Sequence, residues 1–136
     1  MNTPGSETEL QLGGFTPLQM SGKDVNKFAT REVPIALQEA MDTAGVTVEN
    51  VDHLLPHQAN TRIMDVVAER LGIPADKVIC NLLDYGNTSS ASIPIALDEA
   101  VRSGRVKKGD LIACAGFGAG LSWGAALMRW RGEAVD

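Results

Sequence analysis

Two stretches of this chain carry residue types suited to chemistry: His57-Gln58-Ala59-Asn60 and, thirty positions beyond that histidine, Gly86-Asn87-Thr88-Ser89-Ser90. One offers an imidazole and the other a carboxamide, both neutral hydrogen-bonding groups at pH 7. Such a pair suits a reaction in which a carbonyl oxygen must be held while negative charge grows on it. It is half of a catalytic set, because no convincing nucleophile accompanies it. Cys80 and Cys114 lie in apolar sequence, where thiols are usually small hydrophobes with raised pKa.

The elements that must position these groups follow from periodicity. Ser21 opens a helical pattern through Val25, Phe28, Ala29, Val33, Leu37 and Met41, with a kink or a break expected near Glu32–Val33 because Pro34 follows. Gly45 ends it. Val51–Leu55 reads as a short strand closed by Pro56, and Asn60–Leu71 as a helix stopped by Gly72. Val78-Ile79-Cys80 reads as a second short strand, and Ala91–Val101 as a helix that Ser89 or Ser90 can cap. Leu111–Ala115 reads as a buried strand, Gly116–Gly120 as a tight loop, and Leu121–Trp130 as a last strand. This is an α/β layered sheet with parallel crossovers. Residues 1–20, with Pro4, Gly5, Gly13, Gly14 and Pro17, read as a loop or partly ordered lead-in to a domain over 21–136.

Composition bounds the function. A chain of 136 residues with 44% hydrophobic and 4% aromatic residues suits one domain with an aliphatic core. A net charge of −5 argues against nucleic acid as partner. No 18-residue apolar run or basic-then-apolar leader is present, so neither a membrane span nor export is expected. Two cysteines without a pairing pattern fit a reducing cytoplasm, and no metal-ligand spacing occurs.

Each motif has a plainer reading. His57 lies just past a strand end, where open α/β sheets bind ligands, and there it can act as base, acid or neutral donor. It can equally satisfy backbone groups at a strand–helix junction. His53, in mid-strand beside Asp52, reads as structural. Asn87 after Gly86 suits a sharp turn that presents its carboxamide, but also an Asx turn or cap. The Gly116–Gly120 loop lacks the lysine and following helix of a phosphate loop. It serves either close approach of a backbone amide to an oxyanion or a tight hairpin.

Three blocks in order carry a family resemblance. They are Leu55-Pro56-His57-Gln58-Ala59-Asn60 with Arg62-Ile63; Tyr85-Gly86-Asn87-Thr88-Ser89 running into Ala91-Ser92-Ile93-Pro94 and Ala96-Leu97-Asp98-Glu99-Ala100; and Gly116-Phe117-Gly118-Ala119-Gly120-Leu121 with Trp123-Gly124-Ala125. From about Ser21 to Gly132 the chain resembles the C-terminal half of the β-ketoacyl-acyl carrier protein synthase III family.

The resemblance implies a thiolase-like half-body, one half of an αβαβα sandwich that is usually homodimeric. It also implies an acyltransferase activity in type II fatty acid synthesis, in the bacterial cytoplasm or the plastid stroma. A cysteine on the N-terminal half takes an acyl group from a short acyl-CoA. His57 and Asn87 would hold the thioester carbonyl of malonyl-acyl carrier protein as it loses carbon dioxide. By the same matching, Phe117, Gly118 and Ala119 border the active-site loop, with an amide near Ala119 serving the oxyanion. Gly22, Lys27, Ala29 and Asn60 border the CoA or pantetheine arm, while Arg62 and Lys27 meet the acidic carrier protein. CoA thioesters enter as substrates, and no permanently bound cofactor is implied.

Two departures stand out. Asn26 occupies a position where relatives commonly carry an aromatic, and the family's catalytic cysteine has no counterpart in this chain. The chain alone is therefore not expected to condense. It should expose apolar surface and pair with a cysteine-bearing N-terminal half or with a second copy of itself. A non-catalytic module that binds carrier protein or CoA, and a residual malonyl decarboxylase, are the other two functions compatible with these residues.

Overall fold

A computed structural model describes residues 20–132. Apart from Met20, which is exposed, the expected lead-in over 1–20 lies outside the described residues.

The first helix, α1, spans Gly22–Ala44 without a break. Ser21 caps it by accepting from the Asp24 amide at 3.4 Å, and Gly45 ends it at φ 65°. Of the kink or break expected near Glu32–Val33, the break does not occur, since the helix continues through Pro34. Proline lacks an N–H, so the Thr30 carbonyl four residues earlier loses its helical donor. Arg70, forty residues on, fills the vacancy by donating its Nη1 to Thr30 O at 2.8 Å.

The strand β1 covers His53–Pro56, and α2 covers Thr61–Leu71 between Asn60 as cap and Gly72 at φ 70°. Val51 closes a single-turn helix over Val48–Asn50 and does not belong to β1. Beyond α2 the expected strand 78–80 reduces to one parallel bridge between Val78 and Leu54. Side chains take the carbonyls that a ladder would have used: Arg105 Nη2 donates to Val78 O at 2.9 Å and Gln58 Nε2 to Ile79 O at 3.2 Å. Cys80, expected in apolar surroundings, is exposed.

A four-residue helix α3, Leu82–Tyr85, leads through Gly86 to the Asn87 turn, and α4 follows over Ser92–Arg102. No side chain caps α4, contrary to the expectation for Ser89 or Ser90. A single-turn helix over Ser89–Ala91 runs straight into it and takes the place of a cap. The last two strands are β2, Leu111–Gly118, and β3, Ser122–Arg129. β2 thus runs three residues into the expected glycine loop. Gly116 faces Gly124 in the antiparallel register, and two residues without side chains let the ladder continue. The connection shrinks to Ala119-Gly120-Leu121.

The sheet has the order β1-β2-β3, with β1 parallel to β2 and β2 antiparallel to β3. Alternation along β2 builds two cores. Leu111, Ala113 and Ala115 face the cluster formed with Leu37 and Met41 of α1 and Ile63 and Val67 of α2. Ile112 joins Ala96, Ala100 and Val101 of α4 on the opposite face, with Cys114 packed against them. The result is three layers, helix–sheet–helix. Among the described residues no helix is long and apolar enough to cross a membrane.

Candidate active site

His57 is the first residue past the C-terminal end of β1. Its amide extends the ladder by donating to Ala115 O at 2.7 Å, which holds its backbone against β2. The ring lies edge-on to Phe117 of β2, with centroids 5.2 Å apart and planes at 78°. Half burial of the imidazole lowers its pKa from 6.5, because desolvation disfavours the charged form. His57 is therefore a neutral imidazole at pH 7.

Asn87 follows Gly86, whose φ of 67° provides the turn that brings the chain out of α3. Its carboxamide oxygen accepts from the Ser89 amide at 2.9 Å, so the Asx turn expected as the plainer reading is present. The two readings are compatible, because the oxygen is engaged while the NH₂ group retains its own two donors. Ser89 stands at φ 55°, a left-handed conformation that costs a non-glycine residue energy and that collects at functional sites.

One residue of the first motif does work that its sequence did not announce. Gln58 is 1% exposed. Its Nε2 donates to Pro56 O at 2.9 Å as well as to Ile79 O, and its Oε1 accepts from the Asn81 amide at 3.1 Å. Asn81 in turn donates its Nδ2 to Glu99 Oε2 at 2.9 Å, and the Tyr85 hydroxyl donates to Glu99 Oε1 at 3.2 Å. A buried glutamine with a carbonyl just before it in sequence looks unremarkable. Only the fold brings residues 79–81 against it.

The remaining expected site residues divide. Phe117 touches His57, and Gly118 and Ala119 follow at the exposed end of β2. Asn60 caps α2, accepting from the Arg62 amide at 2.9 Å, and both residues are exposed. Gly22 and Lys27 are exposed on α1, whereas Ala29 of the same helix is fully buried in the core. His53 bonds Asp110, with Nε2 3.0 Å from Oδ2, while Asp52 accepts from the Leu111 amide at 2.8 Å. Both are ties between β1 and the start of β2. Burial raises the Cys114 thiol to about 11, so it is not a nucleophile at neutral pH. Among the described residues no cluster of three His, Cys, Asp or Glu side chains suits a metal.

Among the described residues, two clefts have linings that include neither His57 nor Asn87. One, of about 440 Å³, lies between α2 and residues 73–80; the other, of about 550 Å³, lies between α1 and β3. Leu121 on the β2–β3 connection and Trp123 on β3 are exposed, at 44% and 48%.

Comparison with known proteins shows the family and the fold. Residues 41–130 match the family described as 3-oxoacyl-[acyl-carrier-protein] synthase III C terminal. The chain is 54% identical over 140 residues to the β-ketoacyl-[acyl-carrier-protein] synthase III of Synechococcus sp. (strain WH7803), covering 97% of this chain and 42% of that protein. It is 60% identical over 122 residues to the enzyme of the same name from Prochlorococcus marinus (strain MIT 9313), covering 90% and 36%. The crystal structure of the synthase III from Pseudomonas aeruginosa PAO1 superposes with a TM-score of 0.87 at 35% identity, over 98% of this chain and 40% of that one. The Thermus thermophilus structure gives 0.81 at 48% identity, over 87% and 38%. The chain thus spans less than half the length of the relatives it matches. Its fold is that of the thiolase-like condensing enzymes, and the chain belongs to the β-ketoacyl-[acyl-carrier-protein] synthase III family, of which it forms the C-terminal domain.

Proposed function

We propose that this chain supplies His57 and Asn87 to the decarboxylative condensation of malonyl-acyl carrier protein with an acyl group carried on a cysteine of an N-terminal half. The supporting observation is a neutral, half-buried imidazole just past the C-terminal end of β1, in a chain of this family. The bond between the malonyl carboxylate and its α-carbon breaks, and its electron pair enters the thioester as an enolate. Carbon dioxide leaves. His57 and the Asn87 carboxamide donate to the enolate oxygen, each aimed donor contributing about 3 kcal/mol where water is excluded. The enolate carbon then attacks the acyl carbonyl, and collapse of that intermediate expels the cysteine thiolate and leaves a 3-oxoacyl thioester. Amides of the Gly118–Ala119 segment serve the second oxyanion.

Neutrality of His57 matters here. An imidazole that stays unprotonated at pH 7 offers one N–H without adding charge that would hold the malonyl carboxylate in place. Carrier protein and acyl-CoA are the partners of this reading, with exposed Arg62 and Lys27 facing acidic groups. CoA thioesters are substrates, and the reaction requires no resident cofactor. A bacterial cytoplasm or plastid stroma is the compartment that goes with it.

The test incubates the chain with malonyl-CoA and acetyl-CoA, alone and with a separately produced cysteine-bearing half of a relative. Condensation that appears only in the mixture and vanishes with His57→Ala supports the proposal. Carbon dioxide release by the chain alone makes it a decarboxylase, and binding without turnover under both conditions makes it a binding module.

A further inference from the structure

Gln58, Asn81 and Glu99 belong to no step of that chemistry, yet they link its two donors. Gln58 sits between β1 and the start of α3, bonded to Pro56 O on one side and to Ile79 O and the Asn81 amide on the other. Asn81 precedes α3, and Tyr85 ends it. Both bond the same carboxylate, Glu99, one on each oxygen. Glu99 thus clamps a helix of one turn at its two ends. A helix that short has no stability of its own, so its orientation is whatever these bonds impose. Gly86 and Asn87 follow directly from its last residue. The carbonyl that Gln58 holds belongs to the residue immediately before His57.

We propose that Gln58, Asn81 and Glu99 are positioning residues, a relay that sets the turn carrying Asn87 in fixed relation to the loop carrying His57. The inference rests on the proposed roles of those two donors, and it adds the device that keeps them in register. Two donors converging on one oxygen tolerate little displacement, and an error of about 1 Å costs about 100-fold in rate. Neither loop can hold that tolerance alone: one end is a strand terminus and the other a glycine turn. The Tyr85 hydroxyl has its pKa raised, first by its hydrogen bond to Glu99 and then by that carboxylate's charge.

Glu99 is the residue to change, because it is exposed and its loss leaves both cores intact. Glu99→Ala removes both acceptors; Glu99→Gln keeps one carbonyl oxygen and serves as the conservative rescue. Nuclear magnetic resonance of the chain alone reads the relay without any turnover. In Glu99→Ala the Asn87 carboxamide and His57 ring signals should move together while the methyl signals of Leu37 and Leu54 stay in place. With the cysteine-bearing half added, kcat for malonyl decarboxylation should fall about 10-fold with KM little changed, and Glu99→Gln should restore most of it. Movement of the Tyr85 signals alone, with Asn87 and His57 unaffected, overturns the relay. If neither wild type nor variant turns over, the functional reading fails while the resonance experiment still decides the coupling.

Discussion

The Arg70 guanidinium donates at 2.8 Å to the carbonyl of Thr30, the carbonyl that Pro34 leaves without a helical partner. One long-range bond therefore completes the ladder of α1 and ties α1 to α2. Thr30 is 8% exposed, so without Arg70 its carbonyl would be poorly solvated. This explains how a proline sits inside a 23-residue helix that packs on the sheet.

Arg70→Met should accordingly cost about 1–3 kcal/mol, the penalty of a buried unpaired acceptor. In a Pro34→Ala background the amide at position 34 supplies the missing donor, and the same Arg70→Met change should cost under about 1 kcal/mol. Urea unfolding of the four proteins measures the coupling. Equal costs in both backgrounds would show that the bond does not compensate for the proline.

His57 should titrate with a midpoint below 6.5 when followed by its ring proton shifts, since burial lowers it. Phe117→Ala removes the ring that shields one side and should move the midpoint back up toward 6.5. The sign for stability follows. With the folded pKa depressed, the unfolded chain binds the proton first, so stability falls as pH drops through 6.5 toward the folded value. A midpoint above 7 would mean that the imidazole is mostly charged at neutrality, and the argument from a neutral donor would fail.

Native alkylation at pH 8 should label Cys80, which is exposed, and spare Cys114 until denaturant is added. The Cys114 pKa is raised to about 11, so stability present below 9.0 should be lost as pH climbs between those values. Cys114→Ala should flatten that alkaline slope and leave decarboxylation unaffected. Rapid native labelling of Cys114 would contradict both the burial and its exclusion as a nucleophile.

Legibility in the sequence tracked the range of the interactions involved. Helices α1, α2 and α4 were readable because apolar spacing is local, and Gly45 and Gly72 marked ends because the left-handed turn that stops a helix favours glycine. The unbroken course through Pro34 was not readable, since the bond that permits it comes from forty residues away. The strand expected at 78–80 failed for a related reason: Arg105 and Gln58 intercept its carbonyls, and neither side chain advertises that partner. At the candidate site, the types and order of His57 and Asn87 were plain. The bonds that join their loops through Gln58 and Glu99 were hidden, because they run between elements that only the fold brings together.

Asn60 has a structural duty that must be separated from its expected contact with the pantetheine arm. Its oxygen caps α2, so Asn60→Ala should cost about 1 kcal/mol in thermal unfolding. Asn60→Asp keeps the acceptor, suits the positive end of the helix, and should leave stability unchanged. It does lose the two N–H donors. With the cysteine-bearing half present, a several-fold rise in KM for the malonyl thioester in Asn60→Asp would support the pantetheine contact. An unchanged KM would leave Asn60 as a cap and nothing more.

The groove between α1 and β3 bears on how the chain associates. Ala36, Glu39, Ala40, Thr43 and Ala44 line one wall and Trp123, Gly124, Ala125 and Leu127 the other, around a space of about 550 Å³. β3 pairs only with β2 among the described residues, so its outer edge carries backbone donors and acceptors beside exposed Trp123. An open strand edge beside an exposed tryptophan favours association. The chain should therefore bind an anilinonaphthalene dye and elute earlier in size exclusion as concentration rises, and Trp123→Lys should weaken both effects. Because Trp123 also meets Phe28 edge to face at 5.1 Å, circular dichroism must confirm that the variant remains folded. A chain that elutes as a monomer at every concentration and binds no dye would show that this surface is satisfied as it stands, and the expectation of a pairing half would lose its physical support.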